Sequence, residues 1–253
     1  MADAPTGTQA KQQGLPLFFN QVEVLNPQRH AALAVREQGT FAFAAKANSV
    51  PLNAMEFGLG SHCFPIVFSK EQRGLPVAVL GLQAGENLFV DQAGRWERRQ
   101  YVPAYVRRFP FIALAPKGSK EYALCIDPSS DLFEPKGERT LFKDGQPTEL
   151  TKKALEFCQI YQTQQEATRQ FVDAVEKQGI LVPRAAKVAL RSGTPRTLTG
   201  FRVIDEAKLN ALGDNVFLEW RRRGWIQLVY THLSSQGCWA ALVDRANRRE
   251  AEA

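Results

Sequence analysis

Residues 148–179 read TELTKKALEFCQIYQTQQEATRQFVDAVEKQG, and this stretch decides the fold. Leu150, Ala154, Leu155, Phe157, Cys158 and Tyr161 recur at three- and four-residue steps. The stripe continues in register through Ala167 and Thr168 within the polar run QTQQEATRQ and then through Phe171, Val172 and Val175. A repeat near 3.6 residues places all of these on one face of a helix. The spacing therefore predicts one long amphipathic helix over about residues 148–178, with Gly179 suited to its C-terminal turn.

Upstream of this helix the apolar runs are strand-length. LFFNQVEVL, from Leu17, alternates loosely and stops at the turn residues Asn26-Pro27. FAFAAKA, from Phe41, reads as a short strand or buried segment, Leu52 to Leu59 as one or two helical turns, and Phe64 to Phe68 as a strand opened by Pro65. Leu75 to Leu82, Asn87 to Val90 and the run from Trp96 are separated by Gln83-Ala84-Gly85 and Gln92-Ala93-Gly94, the signature of a β-meander. Helix-like YVPAYVRR follows, then PFIAL and YALCID, two strands paired across Pro116-Lys117-Gly118-Ser119.

Downstream, ILVPRAAKVAL and TLTGFRVID read as strands around an SGTP turn, and EAKLNAL and FLEWRRRG as short helices. WIQLVYTHLSS fits helix or strand, and the charged, small residues from Ala246 read as a frayed end. The expected fold class is α+β (mixed α/β). It has a β-rich N-terminal half with hairpins, the long helix, further strands and a helical C-terminal segment. The expected organisation is a tail at 1–16, a single domain at 17–245 and a tail at 246–253.

A chain of 253 residues buries roughly 70–75% of its unfolded surface when it folds. With 44% hydrophobic and 23% charged residues, composition disfavours disorder, collagen-like repeats and coiled coil for the bulk of the chain. The net charge of +6 permits attraction to phosphates, anionic lipid or acidic partners without selecting one. No window reaches the roughly 20 apolar residues that span a bilayer. MADAPTGTQAKQQGLP lacks a basic start followed by an apolar run, so the expected location is cytoplasmic. Cys63, Cys125, Cys158 and Cys238 are scattered without a CxxC pair and read as reduced thiols, with neither zinc site nor disulfide framework.

No GxSxG elbow, Walker loop, GxGxxG turn or HExxH helix is present. The three histidines, His30, His62 and His232, stand far apart, and His62 and Cys63, if on a strand, point to opposite faces. Neither a metal nor a cofactor is expected. The densest chemistry lies in RWERRQYVPAYVRRFPFIAL. Its candidates are Arg98, Arg99, Tyr101, Tyr105, Arg107 and Arg108, because guanidinium forks beside aromatic rings clamp carboxylates, phosphates or stacked rings. The competing reading makes the aromatics core and pairs the arginines with acids such as Asp91 and Asp127. Nucleic acid is disfavoured, since no recognised binding motif accompanies the basic residues.

The phrases AMEFGLGSHCFPIVF, PVAVLGLQAGENLFVDQAGRWERRQYVPAYVRRFPF, LCID, LFKDGQPT, GFRVIDEAKLNAL and YTHLSS occur in the order found in the SapC family, which this chain resembles over most of residues 20–240. The resemblance implies a link to bacterial surface layers and brings no reaction, cofactor or catalytic residue with it. The expected function is that of an accessory protein binding an anionic small molecule or peptide, or a protein partner, through the arginine and aromatic segment. The rivals are an enzyme built from Glu56, His62 or His232 with Asp91, and a surface-layer structural component.

Overall fold

A computed structural model describes residues 14–36, 39–70, 74–115 and 122–252. The chain begins with β1 (Glu23–Val24), α1 (Pro27–His30) and β2 (Ala34–Val35). Asn26 caps α1 by accepting from the Gln28 N–H, as its short polar side chain favours. A 3-10 turn at Ala42–Ala44 precedes β3 (Ser49–Pro51), and a second at Ala54–Glu56 runs directly into α2 (Phe57–Gly60). Then come β4 (Ile66–Ser69), β5 (Pro76–Val79), α3 (Ala104–Arg107), β6 (Phe111–Leu114), β7 (Ala123–Ile126) and β8 (Phe133–Glu134). The hairpin β9 (Phe142–Lys143) and β10 (Gln146–Pro147) turns at Asp144-Gly145, both with positive φ, as the tightest hairpin loops require.

The long helix is α4 (Glu149–Lys177). Thr148 caps its start, and Gly179, at φ +63°, takes the left-handed turn that ends it. A hairpin of β11 (Leu181–Ala189) and β12 (Pro195–Ile204) follows, and the chain closes with α5 (Glu206–Asn210), α6 (Asp214–Arg222), α7 (Trp225–Ser235) and α8 (Cys238–Ala251). The fold is mixed α+β, as the sequence predicts. No helix among the described residues is long and apolar enough to cross a membrane.

The strands form a five-stranded antiparallel sheet in the order β11-β12-β4-β5-β3, a three-stranded sheet β1-β7-β6, and two small ladders. The larger core joins the five-stranded sheet to the C-terminal half of α4 and to the last helices, through Phe68, Val77, Tyr161, Phe171, Val172, Trp220 and Val229. In the three-stranded sheet the period-two alternation of strands separates two faces. Phe111, Ala113, Leu124 and Ile126 pack toward Cys158 of α4, whereas Ile112 and Cys125 pack with Phe19 and Phe109. One helix therefore serves two cores.

Several expectations are corrected. The segment from Phe41, expected as a short strand or a buried segment, is the 3-10 turn with Ala44 buried, because buried Asn87 donates from Nδ2 to the Ala44 carbonyl and from its backbone to that of Ala45. The meander across Asn87 to Trp96 reduces to a single bridge between Val90 and Trp96, and the strand expected over Leu17 to Leu25 is confined to Glu23–Val24. The ambiguous WIQLVYTHLSS is helix α7. Residues from Ala246, expected to fray, continue α8: Ala246 is buried, and Arg249 donates to the Val90 carbonyl at 2.8 Å. The Pro116–Ser119 turn and most of the expected tail at 1–16 lie outside the described residues.

Candidate anion-binding site

Pro103 starts α3, a single turn that ends in two arginines. Neighbouring helix positions diverge by about 100°, since a turn takes 3.6 residues, and the two arginines meet different environments. Arg107 is exposed, whereas Arg108 is only 5% exposed. The Arg108 guanidinium lies 4.1 Å from the ring centroid of Tyr105, one turn back on α3, and 4.7 Å from that of Tyr161 on α4. Its Nε has no hydrogen-bond partner, and among the described residues no carboxylate forms an ion pair with it. A buried charge left without a counter-charge is costly, and two aromatic faces offset only part of that cost.

Arg108 lines a cavity of about 480 Å³ between β2, the end of α3 and the first turns of α4. Val35, Phe111, Leu150, Ala154, Phe157 and Cys158 supply its apolar surface, and Arg107, Arg139 and Lys153 add three further cations. Among the described residues none of the four cations has a salt bridge. Arg107 donates from Nε to the Val102 carbonyl and from Nη2 to the Tyr101 hydroxyl, and Arg139 donates to the Arg36 carbonyl at 3.1 Å. The one lining acid, Glu149, is exposed and bound to Lys152 at 2.8 Å, which holds its carboxyl below the ordinary value. Burial pushes the Cys158 thiol up to about 11, so it lines the cavity as a neutral group.

A smaller cavity of about 220 Å³ adjoins the first, with Arg107 and Phe157 lining both. Glu56 lies against it, buried, with both oxygens engaged. Oε1 accepts from the Ala104 N–H at 2.7 Å and the Tyr101 hydroxyl at 2.9 Å, and Oε2 from the Asn53 N–H at 3.0 Å. Burial pushes this carboxyl above its ordinary value, against the pull of those donors and of Arg107. The Tyr101 hydroxyl is pushed up to about 12 by burial and by the Glu56 charge.

The structure thus gathers Tyr101, Tyr105, Arg107, Arg108 and Glu56, and leaves the other candidates elsewhere. Arg98 and Arg99 are exposed, and Arg98 faces a separate cleft of about 640 Å³. There the arginine clusters at 95–98 and 245–249 converge, but acids neutralise part of them: Arg95 pairs with Asp91 at 2.8 Å and Arg245 with Glu97 at 2.7 Å. Asp91 also accepts from the Ala93 and Arg95 N–H groups, which hold it below its ordinary value. Among the described residues Asp127 forms no salt bridge with an arginine. It accepts from the backbone of Asn20 at 2.6 Å and from Ser129, correcting the expected pairing.

His62 is exposed and lies with Cys63 in the turn after α2 rather than on a strand. His232 is fully buried under Phe68, with Nε2 accepting from the Ile204 N–H at 3.1 Å, and burial drives its pKa down to about 4. Among the described residues no hydrogen bond or salt bridge joins any two of Glu56, His62, Asp91 and His232, and Glu56 and Asp91 line different cavities. Among the described residues no three His, Cys, Asp or Glu side chains cluster as metal ligands.

Arg139, Lys153 and Phe157 were not among the site candidates read from the sequence, Phe157 being named only as part of the helical stripe. Phe157 and Lys153 stand on and beside the apolar stripe of the long helix, and that spacing is their only sequence signal.

No curated protein and no solved structure matches this chain. The SapC family model matches residues 25–242, from just after β1 into α8, and so takes in every element that builds the cavity. This chain belongs to the SapC family.

Proposed function

We propose that the protein is a binding protein for an anionic ligand, held in the cavity at Arg108. The observation that carries this reading is the Arg108 guanidinium, nine-tenths buried, its Nε without a hydrogen-bond partner and without a counter-ion among the described residues, lining a cavity with three more cations. A planar guanidinium presents paired donors that fit the two oxygens of a carboxylate or phosphate. An anion entering here supplies the counter-charge that the fold does not, and the aromatic faces of Tyr105 and Tyr161 hold the guanidinium ready for it.

Calorimetric titration of the full chain with phosphate and with small carboxylates, at low ionic strength, tests the reading. Binding that is lost in Arg108→Met, with the variant still folded by circular dichroism, is the expected result. Equal binding by Arg108→Met, or no heat from any anion, would refute it.

A further inference from the structure

The anion-binding reading leaves the rest of the ligand open, and three features of the cavity pair narrow it. The first is charge. Four cations without salt bridges among the described residues face a single lining acid that Lys152 already holds, so one carboxylate leaves most of the positive charge unbalanced. A phosphate monoester carries roughly −1.5 to −2 at pH 7 and three acceptor oxygens, enough to engage Arg108 together with Arg107 or Lys153.

The second is continuity. Arg107 and Phe157 line both cavities, and Tyr161, which the Arg108 guanidinium covers, lines the second. Volumes of about 480 and 220 Å³ suit one small molecule reaching from one to the other.

The third is polarity. The second cavity opens beside Met55, 73% exposed, and Ile160, 49% exposed, two large apolar side chains left in water. Its one acid, Glu56, is saturated by three donors and repels a second anion. The arrangement therefore orients the ligand, anion toward Arg108 and apolar body toward Met55 and Ile160.

We infer that the ligand is a soluble phosphate monoester with an apolar organic group, its phosphoryl at Arg108 and its apolar part laid across Phe157 toward Met55 and Ile160. This rests on the anion-binding reading, and the probes separate the two. Inorganic phosphate, n-hexyl phosphate and n-hexanoate are titrated calorimetrically into the full chain. Hexyl phosphate is expected to bind at least about tenfold more tightly than inorganic phosphate, since burying even two methylenes supplies that factor, and more tightly than hexanoate, whose single charge leaves more of the cationic cluster unbalanced. Arg108→Met should abolish all binding. The double variant Met55→Gln/Ile160→Gln, changed only at exposed positions, should bind inorganic phosphate as before and hexyl phosphate within about threefold of it.

Hexanoate binding as tightly as hexyl phosphate overturns the phosphate assignment. Equal affinity for hexyl and inorganic phosphate overturns the apolar arm. Both outcomes leave the anion site standing, and that site fails only if no anion binds in a manner dependent on Arg108. Binding to phosphatidic acid vesicles without binding of monomeric hexyl phosphate overturns the small-molecule assignment in favour of a lipid surface.

Discussion

The phenol of Tyr101 donates to Oε1 of Glu56 at 2.9 Å, and the phenol oxygen in turn accepts from Nη2 of Arg107 at 3.2 Å. A buried carboxylate and a cavity arginine are thus joined through one hydroxyl.

Tyr101→Phe tests that link. It leaves Glu56 with two backbone donors and releases Arg107 from one of its two anchors. A hydrogen bond to a carboxylate is worth about 1.5–3 kcal/mol when buried, and Tyr101 is only partly buried, so a stability loss of about 1 kcal/mol is expected at pH 7 by urea denaturation. Anion affinity should fall severalfold with it, since Arg107 becomes free to leave the cavity. Unchanged affinity would show that Arg107 holds its place without Tyr101.

Arg108→Met should not destabilise the unliganded protein. Replacing an unpaired buried charge by an apolar side chain of similar length is neutral or stabilising by up to ~2 kcal/mol once the lost ring contacts are subtracted. Guanidinium denaturation in a buffer without phosphate or sulfate measures this directly. A loss above ~2 kcal/mol would mean that Arg108 has a structural counter-ion after all.

His232 predicts an acid limb of stability. The folded ring protonates only near pH 4, whereas the unfolded histidine protonates near 6.5, so between those values the unfolded chain binds the extra proton. The contribution is complete above pH 6.5 and is lost as pH falls toward 4, amounting to ~3 kcal/mol over the window. His232→Gln keeps an acceptor for the Ile204 N–H and removes the titration. Its denaturation midpoint should vary less between pH 7 and pH 4 than the parent's, and parallel profiles would contradict the assignment.

Gly81 has no room for a side chain: a Cβ there would lie 2.1 Å from the Glu86 carbonyl oxygen. Gly81→Ala must therefore move backbone, and a cost of about 3 kcal/mol or more is expected. Gly85→Ala, in the same turn region with open space but φ +78°, should cost only about 1–2 kcal/mol. Thermal melts of the two variants side by side decide the order.

Long, strongly periodic elements were legible in the sequence. The stripe from Leu150 to Val175 gave α4 nearly to the residue, and the SGTP turn marked the hairpin of β11 and β12. Short segments were not, because their backbone answers to distant partners. FAFAAKA alternates like a strand, yet Asn87, more than forty residues away, takes the carbonyls of Ala44 and Ala45 and closes a turn. WIQLVYTHLSS carries strand-forming residues on a helical repeat, and packing of α7 against β4, β12 and α2 settles it as helix.

The site shows the same division. Arg107 and Arg108 stood out by density alone, but Arg139 and Lys153 reach the cavity from other elements, a convergence that only tertiary structure creates. The expectation that arginines pair with acids holds for Arg95 and Arg245 and fails at Arg108, and that failure marks the site.

Helix α4 gives Leu150, Ala154 and Cys158 to the smaller core and Tyr161, Phe171, Val172 and Val175 to the larger. Neither core closes without it, so the molecule has no internal seam along which to come apart. Calorimetry should record a single transition, and a ligand gripped near Lys153 would raise the melting of strands as remote as β12.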